Sequence, residues 1–171
     1  FLMASQAMTR VYLSLGSNID REHNIRAGLD ALAAQFGEVH LSPVYESEAV
    51  GFDGAPFLNL VARIDTGLPL GELAGLLRDI EADHGRVRGD KKFASRTLDI
   101  DVLTYGDLTG LVDGVELPRD EILKHAFVLR PLADLAPQAR HPVLGETYAA
   151  LLARLDMSAQ KLWQVPFRWP A

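Results

Sequence analysis

The 171-residue chain contains no cysteine. That excludes disulfide scaffolds, thiolate metal sites and a cysteine nucleophile, and it fits a reducing compartment. No apolar run approaches the roughly 20 residues of a membrane span, so no membrane partner is expected and the cytoplasm is the default location. A basic excess is absent as well. Seventeen Lys and Arg face 23 Asp and Glu, a net charge of −6, which argues against a nucleic-acid footprint. There is no Gly-x-Ser-x-Gly elbow to support acyl transfer through serine. There is no Gly-x-x-x-x-Gly-Lys-Ser/Thr loop either, so any ATP bound here is held without one. The five histidines, His23, His40, His84, His125 and His141, form no close metal pair at helix or strand spacing.

What is present suits one globular domain. Apolar residues make up 48% of the chain, enough for a substantial core. Phe1 to Ala7 lacks the charged start and long apolar stretch of a signal peptide and reads as a cloning remnant ahead of Met8, leaving 8–171 as a single domain. Val11-Tyr12-Leu13-Ser14-Leu15, closed by Gly16, reads as a buried strand. Ile25, Leu29, Leu32, Ala33 and Phe36 then mark one face of a helix, with Asp20 as N-cap and Gly37 as stop. Strands follow near 39–47 and 57–66. Pro69 opens a second helix with a stripe of Leu70, Leu73, Leu76, Leu77 and Ile80, ended by Gly85, with His84 at its C-terminus. A strand over 98–105 completes a β-α-β-β-α-β order. That is the split arrangement of ferredoxin-like α+β folds, an antiparallel-dominated sheet with both helices on one face. Beyond Gly114, Glu116-Leu117-Pro118 reads as a short edge strand, Pro131 as a helix start, and Tyr148, Leu151, Leu152 and Leu155 as another helix. Trp163, Phe167 and Trp169 are expected to pack back onto the body.

Residues two apart on a strand share a face. Leu98, Ile100 and Val102 therefore point one way, and Asp99 and Asp101 the other, roughly 6–7 Å apart. Two carboxylates at that spacing can share a hard cation such as Mg²⁺; the bland alternative is a solvated strand face. Arg86, Arg88, Lys91, Lys92 and Arg96 run directly into this strand, opposed only by Asp90. Cations beside paired carboxylates suit a polyphosphate–Mg²⁺ complex, whereas a solvated turn is the plain reading. Phe57 and Asn59 also share a strand face. An aromatic ring plus an amide suits a flat heterocycle, with ordinary core packing as the alternative.

The stretch Lys92-Phe93-Ala94-Ser95-Arg96-Thr97-Leu98-Asp99-Ile100-Asp101-Val102-Leu103 resembles the signature of the 6-hydroxymethyl-7,8-dihydropterin pyrophosphokinases. That signature reads basic, any, small, small, Arg, two of any kind, Asp, aliphatic, Asp, two aliphatic. Leu15-Gly16-Ser17-Asn18, Phe57-Leu58-Asn59, Gly85-Arg86-Val87-Arg88 and Phe127-Val128-Leu129-Arg130-Pro131-Leu132 extend the resemblance over roughly residues 10–145, in the family's order. It implies a ferredoxin-like core and transfer of diphosphate from ATP to a pterin hydroxymethyl group in folate biosynthesis, leaving AMP. By resemblance, Asp99 and Asp101 hold two Mg²⁺ ions and Arg86 and Arg96 grip phosphates, these four being the catalytic set. Arg88 and Lys92 belong to the loop that closes over ATP. Arg78 and Glu81 match nucleotide-contact positions, and Val102 lies against adenine. The pterin stacks between Phe57 and Phe127. Asn59 bonds its edge, and the backbone near Ser47, Glu48 and Val50 completes the pocket.

Three positions depart from the family pattern. Pro118-Arg119-Asp120 replaces a common Pro-His, His125 replaces an Arg, and Phe93 stands where many members have Trp. Arg119, Asp120 and His125 occupy places that contact nucleotide phosphates, so activity is expected to survive with altered ATP handling. A diverged, non-catalytic pterin- or nucleotide-binding paralogue is the rival reading. An RNA-binding module of the same fold would need exposed strand aromatics beside a basic sheet. ATP and hydroxymethyl-dihydropterin are the expected small-molecule partners, and a monomer is expected.

Overall fold

The computed structural model describes residues 7–49, 54–84, 97–158 and 160–170. Strand β1 (Thr9–Ser17) leads into helix α1 (Arg21–Phe36). Strands β2 (His40–Leu41), β3 (Val44–Ser47) and β4 (Phe57–Thr66) precede helix α2 (Leu70–Asp83) and strand β5 (Asp99–Tyr105). The hairpin β6 (Gly110–Val112) and β7 (Val115–Leu117) follows. Helices α3 (Glu121–Lys124), α4 (Ala126–Leu135) and α5 (Tyr148–Arg154) and strand β8 (Leu162–Val165) complete the chain. The main sheet runs β5-β1-β4-β3-β8, with β2 also on β4, and every pairing is antiparallel. Its first four strands have the order that the β-α-β-β-α-β pattern requires.

The sheet separates two cores. On one face Val11, Leu13, Leu15, Leu58, Leu60, Ile100 and Val102 pack against α1 through Ile25, Leu29 and Leu32. The same face meets α2 through Leu70, Leu73, Leu77 and Ile80. Both early helices therefore lie on one side, as the two apolar stripes require. On the other face Tyr12, Val61 and Leu103 meet Ile122 of α3, Val128, Leu129 and Leu132 of α4, and Tyr148 and Leu151 of α5. That second layer leaves the start of β5 to its carboxylates.

Leu98, fully buried just before β5, is seated by a close approach of α1. A Cβ added at Gly28 would lie 2.9 Å from Leu98 Cδ2, so only glycine lets the helix come this near.

Several boundaries differ from those read in the sequence. Strand β1 continues through Gly16 to Ser17, because Gly16 pairs with both Asn59 and Asp99. Asp20 is the N-cap of α1 by position, but it adopts φ 42° and its side chain makes no capping bond. Gly37, at φ 76°, does close the helix. The stretch near 39–47 is two strands interrupted at Ser42-Pro43. Helix α2 ends at Asp83, with His84 as C-cap; Gly85 lies outside the described residues. Pro131 sits inside α4 and does not start it. Strand β7 is the expected short strand, but it pairs with β6 in a sheet of its own. Phe167 and Trp169 pack against the first core, while Trp163 stays 44% exposed.

Candidate active site

The antiparallel register fixes which side chains meet. Gly16 is paired on one side with Asp99 and on the other with Asn59. Ser14 is opposite Asp101, Tyr45 opposite Asn59, and Ser47 opposite Phe57. Directly paired residues share a sheet face. Asp99, Asp101, Gly16, Asn59, Phe57 and Ser47 therefore stand on one face, across strands β5, β1, β4 and β3. Asp99 and Asn59 are two strand spacings apart, about 10 Å. Between them Gly16 contributes no side chain. A Cβ there would sit 3.7 Å from both Asn59 Oδ1 and Phe57 Cδ1, so the glycine leaves an open floor.

At the β5 end, burial and the neighbouring Asp99 charge push the Asp101 carboxyl well above its usual range, against the opposing pull of Arg119. The Arg119 guanidinium lies 3.7 Å from Asp101 and 3.5 Å from Glu121. Burial lowers its proton affinity, but Asp101, Glu121 and Asp99 together raise it, so it stays a cation. Its backbone N–H donates to Leu103 O at 2.9 Å, tying the α3 approach to β5. Its buried Nε has no hydrogen-bond partner among the described residues.

Two crowded carboxylates form a hard-oxygen pair whose mutual repulsion a divalent cation relieves. Among the described residues no third His, Cys, Asp or Glu joins them in a metal-holding group. Mg²⁺ commonly takes one or two carboxylates and completes its shell with phosphate and water, and this donor set fits it.

At the β3–β4 end, Asn59 Nδ2 donates to Ser47 Oγ at 2.7 Å, both residues being buried. This fixes the amide with Oδ1 turned toward the Gly16 floor, as an acceptor. Next to it a cavity of about 280 Å³ is lined by Ser47, Glu48, His125, Phe127, Gln160 and Lys161, among others. The His125 ring stacks on Phe127, with centroids 4.8 Å apart and planes 19° apart.

The remaining expected residues are placed variously. Glu81 is buried and accepts from the Ile100 N–H at 2.9 Å, so α2 grips the residue between the two aspartates. Arg78 is exposed on α2. Asp120 forms an exposed ion pair with Lys124 at 2.8 Å. The Val102 side chain is 5% exposed in the first core, on the face opposite the aspartates. Val50, Arg86, Arg88, Lys92 and Arg96 lie outside the described residues. Sequence reasoning missed the floor role of Gly16, which emerges only when both neighbouring strands are known. It also missed Gln160 and Lys161, whose segment carries no periodic signal.

Residues 12–137 match the family described as 7,8-dihydro-6-hydroxymethylpterin-pyrophosphokinase. The chain belongs to this family. It is 41% identical over 137 residues to the 2-amino-4-hydroxy-6-hydroxymethyldihydropteridine pyrophosphokinase of Pseudomonas aeruginosa, covering 78% of this chain and 84% of the relative. It is 39% identical over 155 residues to the enzyme of the same name from Methylorubrum extorquens, covering 88% and 96%. The Bacillus subtilis enzyme is 33% identical over 158 residues, covering 90% and 89%. Among solved structures, Plasmodium falciparum HPPK-DHPS with pterin and p-hydroxybenzoate superposes with a TM-score of 0.69 at 16% identity. The match covers 89% of this chain but only 44% of that one, so it supports the pyrophosphokinase fold alone. Among the described residues no helix is long and apolar enough to cross a membrane.

Proposed function

We propose that this pyrophosphokinase moves the terminal diphosphate of ATP onto the hydroxymethyl oxygen of 6-hydroxymethyl-7,8-dihydropterin, releasing AMP, at the sheet face floored by Gly16. The observation that carries the reading is the placement of the Asp99–Asp101 pair and the Ser47–Asn59 pair on either side of that glycine. One end suits polyphosphate and the other a heterocycle edge.

In this reading the pterin lies between Phe57 and Phe127, with Asn59 Oδ1 accepting from its N–H edge and Glu48 and Val50 closing the pocket. The Ser47 bond orients the amide before the ligand arrives, which lowers the entropic cost of binding. The hydroxyl oxygen attacks the β-phosphorus in line. The bond from that phosphorus to the α,β-bridging oxygen breaks, AMP departs with the oxygen, and the hydroxyl proton passes to solvent water. Asp99 and Asp101 would hold two Mg²⁺ ions, which would spread the phosphate charge and acidify the hydroxyl.

The protein's own cations take the remaining negative charge. Arg86 and Arg96 grip the phosphates, with Arg88, Lys92 and Arg119 around them and His125 and Asp120 at the rim. Arg78 and Glu81 flank the nucleotide. Val102 meets adenine through its backbone, since its side chain is committed to the core.

The test is AMP release by Asp99→Ala and Asp101→Ala. Each should fall by at least about 10²-fold, the scale of losing a preorganised charge, with the circular dichroism spectrum unchanged. Near-wild-type turnover in both variants overturns the assignment.

A further inference from the structure

His125 joins α3 to α4, in extended conformation and with no side-chain capping bond. The junction therefore leaves two backbone groups in need of partners: the Lys124 carbonyl at the end of α3, and the Ala126 N–H at the start of α4. Ala126 is fully buried, so its N–H cannot turn to water. Both groups are met by one side chain from far along the sequence. Gln160 Oε1 accepts from the Ala126 N–H at 2.6 Å, and Gln160 Nε2 donates to the Lys124 carbonyl at 3.2 Å.

The same segment continues into β8, where Leu162 is paired with Ser47 at the end of β3. The chain from Gln160 to Leu162 thus bridges two walls of the 280 Å³ cavity, the strand wall carrying Ser47 and the helix wall carrying His125 and Phe127. The separation of those walls sets the width of the slot between them. A planar bicycle gains stacking only at a narrow range of separations.

We propose that Gln160 is a positioning residue for pterin recognition: by clamping the residues either side of His125 to the end of β8, it sets the distance of Phe127 from Ser47. The assignment rests on the reading of this cavity as part of the pterin site. Gln160 itself performs no chemistry. It acts through the Phe127 wall, so its removal weakens the pterin far more than ATP: of the proposed ATP contacts only His125, at the rim, adjoins the clamped residues in sequence, and the metal-holding aspartates and Arg119 lie at the β5 end.

The full chain carries the test. Gln160→Met keeps length and volume but loses both bonds. Gln160→Glu keeps the acceptor for the Ala126 N–H and loses the donor to Lys124. For Gln160→Met the KM for hydroxymethyl-dihydropterin should rise about tenfold, the scale of one or two neutral hydrogen bonds, with the KM for ATP changed less than about twofold. Gln160→Glu should recover part of the loss. If Gln160→Met fails to fold, Gln160→Glu decides by the same split. An unchanged pterin KM, or equal rises for both substrates, overturns the assignment while wild-type turnover keeps the pterin site intact. A wild-type chain that does not turn over the pterin overturns the site reading and this assignment together.

Discussion

Replacing Asp101 by Asn separates what the residue does for the fold from what it does for the reaction. Asn keeps the shape and one oxygen donor but removes the charge. The Asp99 carboxylate stands within hydrogen-bonding reach of Asp101, and at an effective dielectric constant near 20 two charges about 3.5 Å apart repel by about 4–5 kcal/mol. The attraction of Arg119 at 3.7 Å is about 4–5 kcal/mol on the same scale, before discounting for solvent at a guanidinium that is one-third exposed. The proton affinity of Asp101 is raised in spite of that attraction, with burial as the largest cause. The charged form therefore costs folding free energy in the metal-free chain. Asp101→Asn should leave the melting temperature unchanged or raise it by a few degrees, at about 2–4 °C per kcal/mol for a chain of this size. AMP release should fall by at least about 10²-fold. Millimolar Mg²⁺ with a non-hydrolysable ATP analogue should raise the wild-type melting temperature and leave the variant's nearly unmoved. The assay is a paired thermal melt and AMP-release measurement. A variant that is several degrees less stable, or that keeps the Mg²⁺-dependent shift, refutes the reasoning.

Three further outcomes follow from other contacts. Gly16→Ala should fold and work nearly as the wild type, since its methyl meets neighbours at an ordinary 3.7 Å, whereas Gly16→Leu should fill the floor and raise the pterin KM about tenfold or more; equal KM values in the two variants would contradict the shared face. Gly28→Ala should cost about 1–3 kcal/mol in urea unfolding through the 2.9 Å clash with Leu98. His141 is 3% exposed, its Nδ1 accepts from the N–H groups of Val143 and Leu144, and burial lowers its proton affinity. A base with a lowered folded pKa contributes full stability above its unfolded value and loses it as pH falls below that value, so stability should drop as pH decreases from about 6.5. In His141→Ala that slope should flatten, with overall stability about 1–3 kcal/mol lower for the two unpaired N–H groups.

The two faces of β5 in the candidate site were legible because a strand has period two. The alternation Leu98, Asp99, Ile100, Asp101, Val102 by itself assigns a core face and a carboxylate face, and the packing of α1 and α2 bears this out. The elements that were missed depend on partners distant in sequence. Strand β8 is four residues long and exists as a ladder with β3; nothing in Leu162-Trp163-Gln164-Val165 alone demands a strand. Pro131 reads as a helix start because its ring forbids one backbone bond. Yet buried Val128, Leu129, Leu132 and Ala133 hold α4 together around it, as tertiary burial outweighs local propensity. Gly16 looked like the end of a strand, and its meaning lies in its two neighbours, Asp99 and Asn59.

The central claim is that the purified chain joins ATP to a pterin at this sheet face. The most direct test is product analysis after incubation with ATP, Mg²⁺ and 6-hydroxymethyl-7,8-dihydropterin. AMP and pterin diphosphate should form one for one, with no ADP, and their formation should stop on chelation of the metal. Binding of both ligands without AMP, or release of ADP in place of AMP, would contradict it.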